Sequence, residues 1–306
     1  MTGEVPLVSV VIPSYNHAHL IARAIASVLA QSWSQLEILV IDNHSSDKTD
    51  QVVAGFADTR VRMLKVHNGG VIAISRNLGI SAARGEWVAF LDSDDWWHPE
   101  KLKRCAQHFG EADFIYHRLR IVTQGRRSLL PRHVGSWPVR TPVFQYLLTD
   151  GNPVATSSVV VRRAIMEQIG GFDERREIIA AEDYDAWIRI ASLTDRFLFV
   201  RECLGYYLFS RHSASRKDMS LPMREVYAVH AHRLPGHTQK RMEANAAYAA
   251  GRYAWSQGDF VKAKRELSRA LSWGRVGLRM RSLVTLSMLS FQRGYRTVKR
   301  KVDPQR

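Results

Sequence analysis

Apolar spacing along the first hundred residues alternates between strand-like runs and helical repeats. Val8–Ile12 is a short β-branched run ended by Pro13, the pattern of a buried strand. Leu20–Ala30 then sets Leu20, Ala24 and Val28 at helical spacing, with Ile21, Ile25 and Leu29 beside them. Glu37–Ile41 predicts a second strand, and the polar turn Asp42-Asn43-His44-Ser45-Ser46-Asp47 can cap a helix over Lys48–Ala57. Val61–Val66 and Ile72–Arg84 repeat the pair, and Trp87–Leu91 predicts a fourth strand running into Asp92-Ser93-Asp94-Asp95. This order predicts an α/β fold with a mostly parallel sheet flanked by helices. Ligands of such sheets bind beyond the carboxyl ends of the strands. The polar clusters Ser14-Tyr15-Asn16, Asp42-Asn43 and Asp92 to Asp95 all fall at those ends.

The pattern weakens beyond Pro99, which suits the first turn of a helix reaching about Phe109. Residues 110–140 are rich in Arg and Gly and predict strands and a loop. Pro142–Thr149 reads as helix, Ser157–Val161 as strand, Ala164–Ile169 as a short helix closed by Gly170-Gly171, and Asp183–Ile190 as the start of another helix. From about Pro222 the pattern is all helical. Ala246 to Trp273 forms two small-residue-rich helices hinged at Gly258-Asp259, similar to one tetratricopeptide-type hairpin. Stacked repeats need about three units, so a packing hairpin is expected rather than a solenoid. The chain therefore divides into an α/β part over residues 1–215, split at 98/99, and a helical part over 216–306.

Charge changes the picture. Residues 1–200 hold 22 Lys and Arg against 22 Asp and Glu, while residues 201–306 hold 22 against 7. The whole net charge of +15 thus belongs to the C-terminal third. A neutral catalytic part joined to a basic part predicts contact with an anionic surface. Between Arg275 and Lys301 stand eight Lys and Arg and no acid. There Met280, Val284, Met288, Phe291, Tyr295 and Val298 recur at three- and four-residue steps, with Arg293, Arg296 and Arg300 on another face. Such a basic amphipathic helix can lie in the headgroup layer of an anionic membrane; alternatively, its apolar stripe packs on the rest of the chain.

The longest apolar stretch, Leu283–Phe291, is interrupted by two serines and a threonine, short of a membrane span. No secretory signal is recognised at the N-terminus, and a cytoplasmic site is expected. Cys105 and Cys203 stand apart without metal or redox spacing.

The strongest local chemistry is Asp92-Ser93-Asp94-Asp95. Three carboxylates in four residues repel one another unless a cation is shared. Hard oxygen ligands with few protein donors suit Mg²⁺ or Mn²⁺ completed by substrate phosphates. The alternative is a solvated acidic turn before the helix at Pro99.

These residues belong to a longer series. It comprises Val8-Ser9-Val10-Val11-Ile12-Pro13-Ser14-Tyr15-Asn16, Glu37-Ile38-Leu39-Val40-Ile41-Asp42-Asn43, Asn68-Gly69-Gly70 and Ser75-Arg76-Asn77-Leu78-Gly79-Ile80. It continues through Gly85-Glu86-Trp87-Val88-Ala89-Phe90-Leu91-Asp92-Ser93-Asp94-Asp95, Gly170-Gly171-Phe172-Asp173-Glu174, and Glu182-Asp183-Tyr184-Asp185-Ala186-Trp187-Ile188-Arg189. With these blocks in this order the chain resembles glycosyltransferase family 2 over about residues 6–215.

The resemblance implies the Rossmann-like GT-A fold with an all-helical C-terminal extension. It also implies inverting transfer of a sugar from a nucleotide diphosphate. By it, Pro13, Tyr15, Asn16 and Asp42 would contact the base, Arg76 would face the donor phosphates, and Asp92 and Ser93 would hold the ribose or a metal-bound water. Asp94, with Asp92, would ligate Mn²⁺ or Mg²⁺. Inversion needs a general base opposite the leaving group. Asp183, paired with Glu182, matches that position, although acids at a helix start are also favoured by its dipole. Phe172 and Asp173 would shape the acceptor side; on the same side Trp96 and Trp97 could stack on a sugar ring, although tryptophans after a strand are at least as often core. Many relatives carry Tyr-Arg-x-His-x-x-Ser after this region. Here the segment reads Tyr207-Leu208-Phe209-Ser210-Arg211-His212-Ser213, so His212, a candidate metal ligand, lies two residues late.

The implied partners are a nucleotide-sugar donor, probed first as UDP-sugar, and a carbohydrate or lipid-linked acceptor. The setting implied is surface polysaccharide or glycolipid assembly at the inner face of the cell membrane. A non-catalytic nucleotide- or sugar-binding protein on the same scaffold is the competing reading. It is disfavoured by the presence of both carboxylate sets. A nucleic-acid binder has the charge but no recognition motif. A nucleotidyltransferase should show a Gly-rich loop after the first strand, where this chain reads Pro-Ser-Tyr-Asn-His.

Overall fold

Apolar runs too long to tolerate a wet face become the centre of a sheet. The computed structural model describes residues 5–123, 132–135, 137–210 and 217–302, with the backbone alone at 237 and from 290 onward. The chain begins β1 (Val8–Ser14), α1 (Ala18–Leu29), β2 (Leu36–Asp42), α2 (Thr49–Ala54), β3 (Val61–Lys65), α3 (Ile72–Ala82) and β4 (Trp87–Phe90). Every residue of β1, β2 and β4 is buried. Helix α1 adds Ile21, Ala24, Ile25 and Val28 to the same core.

The chain continues with β5 (Trp96–Trp97), α4 (Lys101–Ala106), β6 (Phe114–Thr123), β7 (His133–Val134), α5 (Val143–Asp150), β8 (Val160–Arg162), α6 (Arg163–Gln168), α7 (Glu182–Ala191) and β9 (Phe197–Phe209). Among the described residues the sheet order is β3-β2-β1-β4-β8-β6-β9-β5, with β7 on β6. Strands β1 to β4 are parallel, as expected. Beyond β4 the sheet is mixed: β8 runs antiparallel to β4 and β6, and β5 antiparallel to β9, while β6 and β9 are parallel. A local clearance sets the fit of α3 on β1. A Cβ at Gly79 would stand 2.3 Å from Val11 Cγ1, so only glycine allows this approach.

Two compact units result, one of residues 1–144 with 153–211, the other of 145–152 with 212–306. The second holds α8 (Ser220–His230), α9 (Gly236–Ser256), α10 (Phe260–Trp273) and α11 (Val276–Val302). The segment 145–152 is bound within it: Asn245 Nδ2 donates to Thr149 O at 3.1 Å, and Arg275 Nη1 to Asp150 Oδ2 at 2.6 Å. The expected hinge is present, with Gly258 at φ +81° and Asp259 capping α10 by accepting from Lys262 N at 2.9 Å. Leu289 of α11 joins Ala254 and Ala263 in a small apolar cluster. The hairpin is thus covered by α11, the packing role expected of it.

Candidate active site

The first turn after β4 separates its acids by alternation. Asp92 and Asp94 are half-buried and reachable, whereas Ser93 and Asp95 point inward. Asp95 Oδ1 accepts from Leu208 N at 2.9 Å, tying β9 to the turn. Asp92 N donates to Ser157 Oγ at 3.1 Å, and Arg23 Nη2 to Asp94 O at 2.8 Å. The turn is therefore held by its backbone and by Asp95; the Asp92 carboxylate gives one oxygen to Arg76, and that of Asp94 faces outward. Burial and the neighbouring Asp92 push the Asp94 carboxyl up to about 6. Repulsion of this kind between oxygen donors fits a hard divalent cation. Among the described residues no group of three or more His, Cys, Asp or Glu is placed to hold a metal by itself. His212 lies outside the described residues.

Arg76, on α3, is neither a solvated surface charge nor open toward a phosphate. It is buried, and its fork spans two carboxylates, Glu182 Oε1 at 2.7 Å and Asp92 Oδ1 at 2.9 Å. Glu182 is buried with it, at the start of α7. The next residue, Asp183, is only half-buried, and Thr156 Oγ1 donates to its Oδ2 at 2.7 Å. Burial first, and then the charge of Glu182, push the Asp183 carboxyl up to about 6. One arginine thus joins the two acid sets, and the acidic pair at 182–183 divides into a buried member held by Arg76 and a half-buried one whose Oδ1 also accepts from Tyr184 N at 2.6 Å. As a candidate base Glu182 is displaced by this pairing, since its carboxylate is engaged by Arg76.

The turn after β1 and the turn after β2 interlock. Asn16, at φ +52°, donates its N–H to Ser45 Oγ at 2.8 Å, and its Oδ1 accepts from Ser46 N at 2.8 Å. Asp42 is fully buried and accepts from Ser45 N at 2.9 Å and Ser45 Oγ at 2.5 Å. It closes its own turn, and a ligand must displace the Ser45 hydroxyl to reach it. Pro13 is buried in β1, while Tyr15 is 56% exposed at its end.

On the other side, Gly170 and Gly171 both take positive φ. Asn77 clamps the next residue at both ends: Phe172 N donates to Asn77 Oδ1 at 2.7 Å, and Asn77 Nδ2 donates to Phe172 O at 2.8 Å. The Phe172 ring is buried against Phe90 and Trp187 and so braces the site from beneath. Asp173 turns back on Arg175, accepting from its N–H at 2.9 Å. Trp97 corrects the expectation of an acceptor contact. It is 2% exposed, its indole N–H donates to Ser157 O at 2.8 Å, and Lys101 Nζ lies 3.2 Å from its ring centroid, so neither face is open to a sugar.

Residues 9–170 match the family described as Glycosyl transferase family 2. The chain belongs to that family. Among its relatives, the succinoglycan biosynthesis protein ExoO of Rhizobium meliloti is 40% identical over 128 residues, 41% of this chain and 37% of that protein. In that match the chain spans little more than a third of the relative's length. The amylovoran biosynthesis glycosyltransferase AmsB of Erwinia amylovora is 28% identical over 83% of this chain and 94% of its own. The glucosyltransferase WfgD of Escherichia coli, named for UDP-Glc and a diphosphoundecaprenol-linked acceptor, is 30% identical over 70% of this chain and 79% of its own. Among solved structures, S. aureus TarS 1–349 in complex with UDP-GlcNAc aligns at TM-score 0.64 and 19% identity, covering 94% of this chain and 92% of that one. The Pyrobaculum calidifontis mannosyltransferase PcManGT, in complex with GDP-Man and Mn²⁺, aligns at TM-score 0.60 and 18% identity, covering 96% and 83%. These likenesses show the GT-A fold for a glycosyltransferase family 2 enzyme.

Some site residues carry little sequence signal. His17 Nδ1 lies 2.7 Å from Ser93 Oγ, joining the first turn to the acidic one; its place directly after Asn16 was the available hint. His44 and His67 stack at 3.6 Å beside the Asp42 turn. Thr156 reaches Asp183 from a 3₁₀ turn 27 residues earlier, which no spacing rule foresees.

Proposed function

We propose that this glycosyltransferase moves a sugar from a nucleoside diphosphate, with UDP the carrier to test first, to an acceptor hydroxyl with inversion, in surface polysaccharide or glycolipid assembly. The observation that carries the reading is Asp183, half-buried and raised to about 6, next in the chain to Glu182, which Arg76 joins to Asp92. A carboxylate of that basicity is suited to take the proton of an attacking hydroxyl near neutral pH. Thr156 holds its Oδ2 and the Tyr184 N–H its Oδ1.

Asp92 and Asp94 would hold Mn²⁺ or Mg²⁺, which when bound neutralises charge on the departing diphosphate. The rise of the Asp94 carboxyl supports that reading. On the donor side Tyr15 would lie over the base, with Pro13 and Asn16 shaping the turn. Asp42 would exchange its Ser45 hydroxyl for the uracil imide N–H. Ser93, turned inward on His17, would set the ribose-side edge. His212 remains a candidate ligand by sequence alone. Asp173 and the backbone at Phe172 would border the acceptor.

The diphosphoundecaprenol-linked acceptor for which WfgD is named supports a lipid-linked acceptor, and the part of AmsB in amylovoran biosynthesis supports polysaccharide assembly. Among the described residues no helix is long and apolar enough to cross a membrane. We place the protein peripherally at the inner face of the cell membrane, with nucleic acid no part of its function.

A panel of nucleotide sugars, assayed for nucleotide release with Mn²⁺ or Mg²⁺, tests the reading. Metal-dependent release from at least one donor supports it. Donor binding without any release across the panel would favour the non-catalytic binder.

A further inference from the structure

A helix that packs by one stripe needs one apolar stripe, and α11 has two. Leu278, Ser282, Thr285 and Leu289 are buried toward the other helices of the second unit. Val276, Met280, Leu283, Val284 and Met288 are instead 76, 55, 47, 50 and 55% exposed. At 100° per residue the centres of the two stripes stand about 160° apart around the helix axis. The Met280, Val284, Met288 series is therefore not the packing face of α11. In the sequence Phe291, Tyr295 and Val298 continue the spacing of the outward stripe; their side chains lie outside the described residues.

Charge decides what can cover such a face. Arg279 and Arg281 are exposed and flank the outward stripe on opposite sides, at about 110° and 90° from its centre, Arg279 also donating to Leu271 O at 2.9 Å and Arg281 lying 5.6 Å from the Tyr248 ring centroid. By helical register Lys299 and Lys301 fall about 95° and 65° from that centre on opposite sides, whereas Arg293, Arg296 and Arg300 fall nearer the inward stripe. No acid stands between residues 275 and 301, and the whole surplus charge of the chain lies in this third. An apolar stripe bordered by cations is matched by a surface with an apolar interior and an anionic rim. A second copy of the same helix would bring cation against cation, which opposes self-association.

We propose that the outward face of α11, from Val276 to Met288 and onward along the helix, is a docking surface for an anionic lipid bilayer. The helix lies in the headgroup layer with Met280, Val284 and Met288 inserted and Arg279 and Arg281 among the phosphates. This rests on the peripheral location proposed above and assigns it to one face of one helix.

The test uses the full chain. Co-sedimentation is measured with vesicles of phosphatidylglycerol and phosphatidylcholine, and with phosphatidylcholine alone. The variant Met280→Gln, Val284→Gln, Met288→Gln changes only exposed positions to a good helix former, so its melting temperature and nucleotide release should match the parent. The parent should bind the anionic vesicles, release them as salt rises, and bind neutral vesicles weakly. The triple variant should lose roughly tenfold or more in vesicle affinity. Arg279→Gln with Arg281→Gln should flatten the salt dependence. Absence of binding by the parent, equal binding by the triple variant, or equal binding to neutral vesicles overturns the proposal. So does a parent dimer in sedimentation that the triple variant abolishes, because the face would then join two copies. A parent that releases nucleotide but binds no vesicles counts against this surface alone, and a parent that binds vesicles but releases no nucleotide counts against the catalytic reading alone.

Discussion

Arg76 Nη1 donates to Glu182 Oε1 at 2.7 Å across 106 residues of sequence, and both side chains are buried. Removing the arginine leaves the glutamate without its partner where water does not reach. Arg76→Ala should therefore destabilise the protein by about 3–5 kcal/mol, read as a lower chemical-denaturation midpoint. The paired variant Arg76→Met, Glu182→Met should recover much of that stability without recovering transfer. If Arg76→Ala leaves the midpoint unchanged, the pair is not formed in solution.

Asp94 leads to a different expectation. Its carboxyl is raised by burial and by Asp92, so its charge costs stability above about pH 6 and costs less as pH falls toward the unfolded value. Asp94→Ala should keep or slightly raise the melting temperature at neutral pH while abolishing metal-dependent turnover. Wild-type activity of this variant at saturating Mn²⁺ would show that Asp94 is not a metal ligand.

The pH profile follows from Asp183. A base acts when deprotonated, and this carboxyl is raised to about 6, so kcat/KM should climb through about pH 6 and level off above it. Glu182→Gln removes the neighbouring charge that helps raise Asp183, and should move the ascending limb to lower pH. An ascending limb near 4 in the parent would contradict the environment described.

Much of this was legible in the sequence, for physical reasons. Val8–Ile12, Glu37–Ile41 and Trp87–Leu91 are apolar runs broken only by Ser9 and Glu37, which hydrogen-bond each other, and they became β1, β2 and β4. The 13 residues of β9 were not foreseen, because Arg201, Glu202 and Gly205 interrupt the run and the alternation. Its partner β6 pairs with it through a register shift at His117 and Arg118. At the site, the acidic residues announced themselves by crowding. Their partners did not: Arg76, Asn77 and Thr156 act over long sequence separations, and Asp42 is spent on its own turn. Trp97 misled because a tryptophan after a strand fits a core and a sugar platform equally well.

Gly171 tests the clamp under the acceptor side. Its φ is +75°, and a Cβ there would stand 2.4 Å from Asn77 Oδ1, the atom that accepts from Phe172 N. Gly171→Ala should cost roughly 1–3 kcal/mol of stability, measured by denaturant unfolding. Asn77→Ala should also destabilise, and the two effects should be less than additive because they break one interaction. Full additivity would indicate two independent sites.

The measurement closest to the central claim compares the parent with Asp183→Asn, using one preparation for donor binding and for transfer. The substitution is nearly isosteric and keeps an acceptor for the Thr156 hydroxyl. Donor affinity, followed by calorimetry with the divalent cation present, should change little. The transfer rate should fall by roughly 10²–10⁴-fold, the usual cost of losing a general base. A transfer rate close to the parent's, or a loss of donor affinity as large as the loss of rate, would contradict the assignment of Asp183 as the base.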